Sequence, residues 1–516
     1  MRKSNTSKQI KIGAILSYGQ MAISVVITLL YTPLMIRFLG DSEYGLYNTV
    51  ISMISMLSVL SLGFNSCYIR YYSKYKEKSE QQKIYQLNGL FLLIFIVIAL
   101  VALACGLFLT FNLHLVFKDG LTDLEYPIAK KLMFLLTLNL AVSFPMSVFA
   151  NIISAHEKFI FLKLLTIFKT VFSPLLTIPL LLNGFGSVAI VWVTIIVSLI
   201  VDLAYVLFVT VILKQKFIFH SFEKGLFKSL FVFAFFIAVH IVVDQLNWNV
   251  DKMVLARYKG TVEVAIYSVG FSLYTHYLSM GAPISGLFAP RVNSIVENGE
   301  SEEAKNASLT QLFIKLGRIQ WLLLGLICTG YIFFGKIFIE FWVGQGYESA
   351  YYVGLLLIIP GSIDLIQNLG IEIQRAKNLH GFRAAIYLIM AIINVIVSIF
   401  LCQKYGAIGA AIGTAISLVV VQGIIINIYL FKKCGINVLS FWGSIIRLSL
   451  GLVPPVVVGL IIIRFININS ILVLIACVAL YTMVYCGSMW LIGMNNYEKD
   501  LVKKPLFKIL KRKGNK

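Results

Sequence analysis

Long apolar runs separated by short polar connections organise this chain. Fourteen segments carry about 20 apolar residues each, the length that crosses a bilayer as a helix: 12–36, 44–66, 87–110, 131–153, 163–183, 187–213, 228–248, 262–286, 310–335, 350–373, 382–403, 406–430, 443–465 and 470–493. The pattern predicts an all-α polytopic membrane protein. Fourteen is even, so both ends fall on one side. The connections on the side of the termini, counted with the adjoining span ends, hold 33 Lys and Arg, the opposite ones hold 10, and Lys169, inside the fifth span, is assigned to neither. Cations are retained on the cytoplasmic side, so both termini are expected there. Asp119, Asp123 and Glu125 in the outer connection 111–129 agree with that sidedness.

One polar string between spans occurs twice. Residues 37–47 read R-F-L-G-D-S-E-Y-G-L-Y and residues 257–267 read R-Y-K-G-T-V-E-V-A-I-Y, an offset of 220 (257 − 37). Phe185-Gly186 and Tyr405-Gly406 repeat at the same offset, as do Thr194 and Thr414, and Ile196 and Ile416. Spans 1–6 and 7–12 therefore read as tandem copies, and six being even, both enter the membrane in one orientation. The expected division is an N-lobe over 1–215, a C-lobe over 216–436, two further helices in 437–496 and a basic cytoplasmic tail over 497–516. In the tail, Leu501, Leu506, Phe507 and Leu510 could face lipid, and a plain positive-inside stop signal explains the same residues.

Composition narrows the class. Of 516 residues 59% are hydrophobic and 13% charged, too few charges to coat a water-soluble protein. The net charge of +21 sits in connections between apolar spans, so membrane orientation accounts for it and no nucleic-acid partner is expected. The seven Cys lack ligand-like spacing, and no disulfide, metal or cofactor is expected. Met1–Lys11 is basic and no small-residue cleavage site follows, which reads as a retained first helix. Walker A, HExxH and GxSxG sequences are missing, and no connection is long enough for a catalytic domain, so the chain reads as a non-enzyme. Asn306-Ala-Ser308 is a formal sequon in a connection expected to be cytoplasmic.

The first 70 residues, with R-F-L-G-D-S-E-Y-G-L-Y and then L-G-F-N-S ending in Arg70, resemble one group. So do N-V-D-K-M-V-L-A-R-Y-K-G-T-V-E-V-A-I-Y-S-V (249–269) and Ala289-Pro290-Arg291. The group is the Wzx-type oligosaccharide repeat-unit flippases of the multidrug/oligosaccharidyl-lipid/polysaccharide exporter superfamily. The resemblance implies two six-helix lobes in a V that rock between inward-open and outward-open states. It implies a polyprenyl-pyrophosphate-linked oligosaccharide as substrate, destined for surface polysaccharide such as O-antigen, capsule or exopolysaccharide. It also brings membrane lipids, a polysaccharide polymerase and chain-length machinery as partners, in a bacterial cytoplasmic membrane. Two alternatives share the superfamily: a peptidoglycan lipid-precursor flippase and a cation-coupled multidrug or metabolite antiporter. The antiporters typically have twelve spans and often an acid in the first helix, whereas this first helix holds Tyr18 and Gln20.

Moving a charged headgroup through hydrocarbon needs cations for the diphosphate, in a cavity open to one side at a time. Arg37 and Arg257 fall at matching outer ends of spans 1 and 7, where they could clamp the headgroup, or snorkel, or pair with Glu43 and Glu263. Arg70 and Arg291 fall at inner ends, as receivers of pyrophosphate or ordinary inner charges. Lys169 lies inside the fifth span, as a cavity cation or a snorkelled surface charge. Asp202 and Asp364 fall mid-span, for coupling to H+ or Na+ or for interhelical hydrogen bonds. His240, Asp244 and Asp251 share one stripe of the seventh helix, a proton-coupling element or satisfied interior polar groups with Asp251 at the helix end. Pro33 and Pro283 are candidate kinks.

Overall fold

The computed structural model describes residues 2–118, 120–223, 225–501 and 503, with side chains for all of these but 2–11, 13–15, 236, 240, 282–284 and 380. Asp119, the tail beyond 503 and the side chains of His240 and Pro283 thus lie outside the described residues. The described chain is helical, without a strand: α1 (Arg2–Leu57), α2 (Phe64–Glu77), α3 (Gln81–Phe111), α4 (His114–Phe117), α5 (Glu125–Ala155), α6 (Phe159–Leu182), α7 (Gly186–Leu207), α8 (Leu226–Lys259), α9 (Thr261–Gly286), α10 (Ala289–Glu297), α11 (Glu302–Val343), α12 (Glu348–Ile366), α13 (Leu369–Ala376), α14 (His380–Leu418), α15 (Ile426–Lys432), α16 (Val438–Ser449), α17 (Val453–Phe465) and α18 (Ile471–Ser488). Among the described residues, eleven helical stretches are long and apolar enough to cross a membrane. Large apolar side chains cover the outside, Phe400, Phe465 and Leu491 among them. Lipid is the solvent that makes such a surface stable, and a helix keeps its backbone hydrogen bonds within itself there. The chain is a multi-pass membrane protein.

The helices form two compact units, Met1–Ser268 with Ala391–Ala410, and Val269–Met390 with Ala411–Lys516. In the first, α3 packs on α5, α1 on α6, and α7 on both α5 and α6. Tyr68, Phe91, Phe95 and Val148 fill its core. The duplicated string has duplicated geometry here. Gly40 breaks α1 with φ 75° and Gly260 ends α8 with φ 85°, a region open to glycine. The bend in the first helix thus falls at Gly40, seven residues past Pro33.

Glu43 and Glu263 then reach across to two helix starts. Glu43 Oε1 accepts from Ser187 N at 2.6 Å, and Glu263 Oε2 accepts from Ala407 N at 2.7 Å. Each carboxylate meets free backbone N–H groups just after Gly186 or Gly406, both with positive φ. The two repeated features of the sequence are therefore partners in space, and the glutamates serve as caps. Of the motif tyrosines, Tyr47 is half-buried and Tyr267 buried. Tyr267 is 1% exposed and donates to Asp251 Oδ2 at 2.9 Å. Tyr47 lies beside Tyr31, the position matching Asp251 at the same offset (251 − 31).

In the second unit α11 packs on α12, α16 and α18, and α17 on α18. Phe334, Ile462, Leu474 and Tyr481 join the last two helices to α11. A buried ion pair fixes that arrangement. Arg318 Nε donates to Glu498 Oε1 at 2.6 Å and Nη2 to Oε2 at 2.9 Å, with further bonds to the carbonyls of Ser444 and Gly493. Arg318, countable in sequence as a cytoplasmic surface charge, is 9% exposed and Glu498 2%. Removing one partner strands the other's charge. Arg318→Met alone is expected to destabilise by about 3–5 kcal/mol, and Arg318→Met with Glu498→Met to recover most of it. Unfolding midpoints of the purified full chain check this.

Candidate functional site

The charged residues that sequence reading singled out fall into distinct settings. In the first unit Arg37 is exposed three residues before the Gly40 break, and no hydrogen bond or ion pair engages it among the described residues. Its counterpart Arg257 is half-buried and held: Nη1 donates to the carbonyls of Leu115 at 2.5 Å and Val116 at 3.3 Å. Neither arginine takes the glutamate of its own motif, because Glu43 and Glu263 are spent on caps. Arg70 sits within α2, its guanidinium 4.3 Å over the Phe233 ring. In the second unit Arg291 is exposed near the start of α10.

Lys169 and Asp202 interact through their charges, without an ion-pair contact among the described residues. Lys169 is exposed on α6, and the half-buried Asp202 of α7 attracts it. Asp244 is half-buried on α8. Asp251 differs from its reading as a helix-end acid. α8 runs on to Lys259, Asp251 is 2% exposed, and it binds Tyr267 next to Lys252, so it is a satisfied interior group.

The motif copies also meet each other. A Cβ on Gly45 would lie 1.8 Å from the Thr261 carbonyl oxygen, so only glycine allows this approach. Glu125, at the start of α5, closes the junction. Its Oε1 accepts from Ser42 and Thr261 hydroxyls, each at 2.5 Å, and its Oε2 from Thr122 N and Oγ1, each at 2.8 Å. One buried carboxylate thereby ties both glycine-broken turns to one loop.

Asp364 is the acid whose setting departs most from its sequence reading. α12 stops at Ile366, so Asp364 lies two residues from a helix end and not mid-span. It faces Arg383, counted in sequence as a connection charge, at 3.6 Å. Arg383 Nη2 donates to the Tyr387 hydroxyl at 2.6 Å, and the Gln422 amide donates to both Asp364 Oδ1 and Tyr387. Gln422 is 2% exposed and belongs to the π-helical stretch Val419–Ile425. Such a widened turn redirects side chains and recurs at functional sites. Arg383 is 15% exposed and Asp364 33%, so the carboxylate is the accessible member.

Arg383, Tyr387 and Gln422 were not singled out in the sequence, yet the repeat marks two of them. Gln422 matches Asp202 at the offset (422 − 202), and Arg383 matches Lys163 (383 − 163). Each copy thus places a cation at the start of one helix and a polar group sixteen residues into the next, after Gly186 or Gly406. The second copy adds Asp364. That cluster can exchange charge: a proton or small cation on Asp364 releases the guanidinium, and an anion on Arg383 releases the carboxylate.

Comparison with known proteins agrees with this architecture. Residues 12–296 match the family described as polysaccharide biosynthesis protein. A protein of Shigella flexneri assigned as an O-antigen transporter is 20% identical over 414 residues, covering 77% of this chain and 92% of that protein. The solved structure of the lipid II flippase MurJ in an inward closed conformation superposes with a TM-score of 0.70 at 16% identity, covering 96% of this chain and 99% of that one. An inward-facing multidrug resistance MATE family transporter of the MOP superfamily gives 0.61 at 11% identity, over 82% and 99%.

A double-mutant cycle on Asp364→Asn and Arg383→Gln checks the pairing. A coupling of about 1–2 kcal/mol in unfolding free energy is expected, modest because the carboxylate is partly exposed. Additive effects would mean the two groups act separately.

Proposed function

The chain belongs to the polysaccharide biosynthesis protein family, and from that premise we propose that it flips a polyprenyl-pyrophosphate-linked oligosaccharide across a bacterial cytoplasmic membrane. The observation that carries this reading is the family match, which covers more than half of the chain. The O-antigen transporter relative supports the substrate class, and the likeness to MurJ and MATE structures supports a transporter fold. On this reading the protein is not an enzyme, and its product feeds a polymerase and chain-length machinery.

The topology proposed is fourteen crossings with both termini cytoplasmic. Of the eleven apolar stretches, Leu16–Glu77 runs through the Gly40 break and Gly381–Lys432 through Gly406, and α9 adds a further helix of 26 residues. The duplicated turns then lie outside.

The mechanism proposed rests on exchange at the Asp364–Arg383 pair. A guanidinium suits a diphosphate because its planar fork matches two oxygens at once. While Asp364 is ionised it competes for that fork. A proton or Na+ on Asp364 removes the competitor and raises affinity for the anion, and by linkage the bound anion raises affinity for the cation. Coupling of this kind is typically worth 5–150-fold. Lys169 with Asp202 offers a second, more open charge pair in the first unit.

In a strain lacking the gene, surface polysaccharide is expected to vanish and the lipid-linked repeat unit to accumulate unpolymerised. A block in peptidoglycan synthesis instead would transfer the chain to the lipid-precursor flippases. In proteoliposomes, Asp364→Asn is expected to abolish the response of flipping to a proton or sodium gradient, and Arg383→Gln to slow flipping on the order of tenfold. An unchanged gradient response in Asp364→Asn would sink the exchange mechanism and leave the substrate reading standing.

A further inference from the structure

A pocket at the duplicated-turn end of the first unit has no role in the exchange described above. It measures about 500 Å³, and Lys118, Gly120, Thr122, Arg257, Tyr258 and Lys259 line it. Three of these are cations, and no carboxylate among the described residues lines it. The volume falls within the range of ordinary small-ligand sites.

The cations are placed there by specific structure. Gly120 lets the loop lie on the end of α8, since a Cβ there would sit 2.0 Å from the Ala256 carbonyl oxygen. That contact brings Lys118 beside the run Arg257–Lys259. Lys118 itself adopts φ 49° and ψ −112°, a conformation a lysine rarely takes. Strained backbone of this sort gathers at binding sites, where the surroundings over-determine it. Arg257 is oriented by the Leu115 and Val116 carbonyls through Nη1 and lies 5.9 Å from the Tyr258 ring centroid, leaving Nε and Nη2 without a hydrogen-bond acceptor among the described residues. The lysines have no hydrogen-bonded or ion-paired partner among them either. The acid adjoining the pocket, Glu125, is occupied by four hydroxyl and amide donors.

We propose that this pocket, built from Lys118, Arg257 and Lys259 around Gly120, is a binding site for a phosphate-bearing headgroup. Three positive groups converge on one volume, one of them a guanidinium with a free edge, and phosphate oxygens are the acceptors that such a set fits. On the sidedness proposed above the site faces the outer leaflet, where the phosphate belongs either to an anionic phospholipid or to a diphosphate headgroup. Thr122 both lines the pocket and donates to Glu125, so the site adjoins the junction of the two turns.

The test uses the purified full chain in neutral detergent, titrated separately with dioctanoyl phosphatidylglycerol and with inorganic pyrophosphate. Saturable binding of at least one probe is expected. Lipid alone assigns the site to a phospholipid headgroup, and pyrophosphate alone or in competition assigns it to a diphosphate. Lys118→Gln with Lys259→Gln is expected to weaken binding on the order of 25-fold, the effect of removing two surface cations from an anion. Lys118→Arg with Lys259→Arg should retain binding, which separates lost charge from lost fold. Lys130→Gln with Lys131→Gln, at cations outside the pocket, should leave it unchanged. Binding that persists undiminished in the double glutamine variant, or no saturable binding of either probe, overturns the proposal.

Discussion

A helix that stops inside an apolar protein leaves backbone N–H groups that water cannot reach, and something in the chain must accept them. That constraint shapes the first unit. Glu43 and Glu263 each cross from one broken helix to the start of another and accept a backbone N–H at 2.6–2.7 Å. The glycines that break the helices, the glutamates that cap their neighbours and the glycines that open those neighbours form one device, present twice. Replacing either glutamate leaves the helix-start N–H it accepts without its carboxylate partner. The glycines and glutamates of the repeated string are conspicuous in sequence for this reason.

Charge inside the protein obeys the same rule. Arg318 and Glu498 satisfy each other and two carbonyls, so their burial is stable and inert. Asp364 and Arg383 are less complete: at 3.6 Å they rely on Gln422 and Tyr387, and the carboxylate stays partly open. Incomplete satisfaction is what the proposed exchange rests on. A fully met ion pair holds two helices together, whereas a partly met one can trade its partner for a proton, a metal cation or a phosphate.

Much of the architecture was legible in sequence because hydropathy and helix length are local properties. Apolar runs, the cation asymmetry and the offset of 220 need no tertiary information. Single side chains were read less well. Arg318 and Arg383 looked like surface charges because each stands at the edge of an apolar run, and only packing shows one buried and the other facing Asp364. Asp251 looked like a helix-end acid because hydropathy falls at that point, although α8 continues through it. Glu125 looked like an outer-loop charge, and nothing nearby in sequence reveals the Ser42 and Thr261 hydroxyls that claim it. Hydropathy reports the mean environment of a window, and a partner 83 or 136 residues away lies outside any window.

By itself, then, the sequence determined that this is a helical membrane protein with a string repeated at a fixed offset and a family resemblance carried by motifs in both copies. Those follow from periodicity, length and repetition along one dimension. Which glutamate caps which helix, which arginine is neutralised, and which cations converge on a pocket were decided by the tertiary structure alone. Each depends on a distance of a few ångströms between residues far apart in the chain, and electrostatic and hydrogen-bond energies change sharply over that distance.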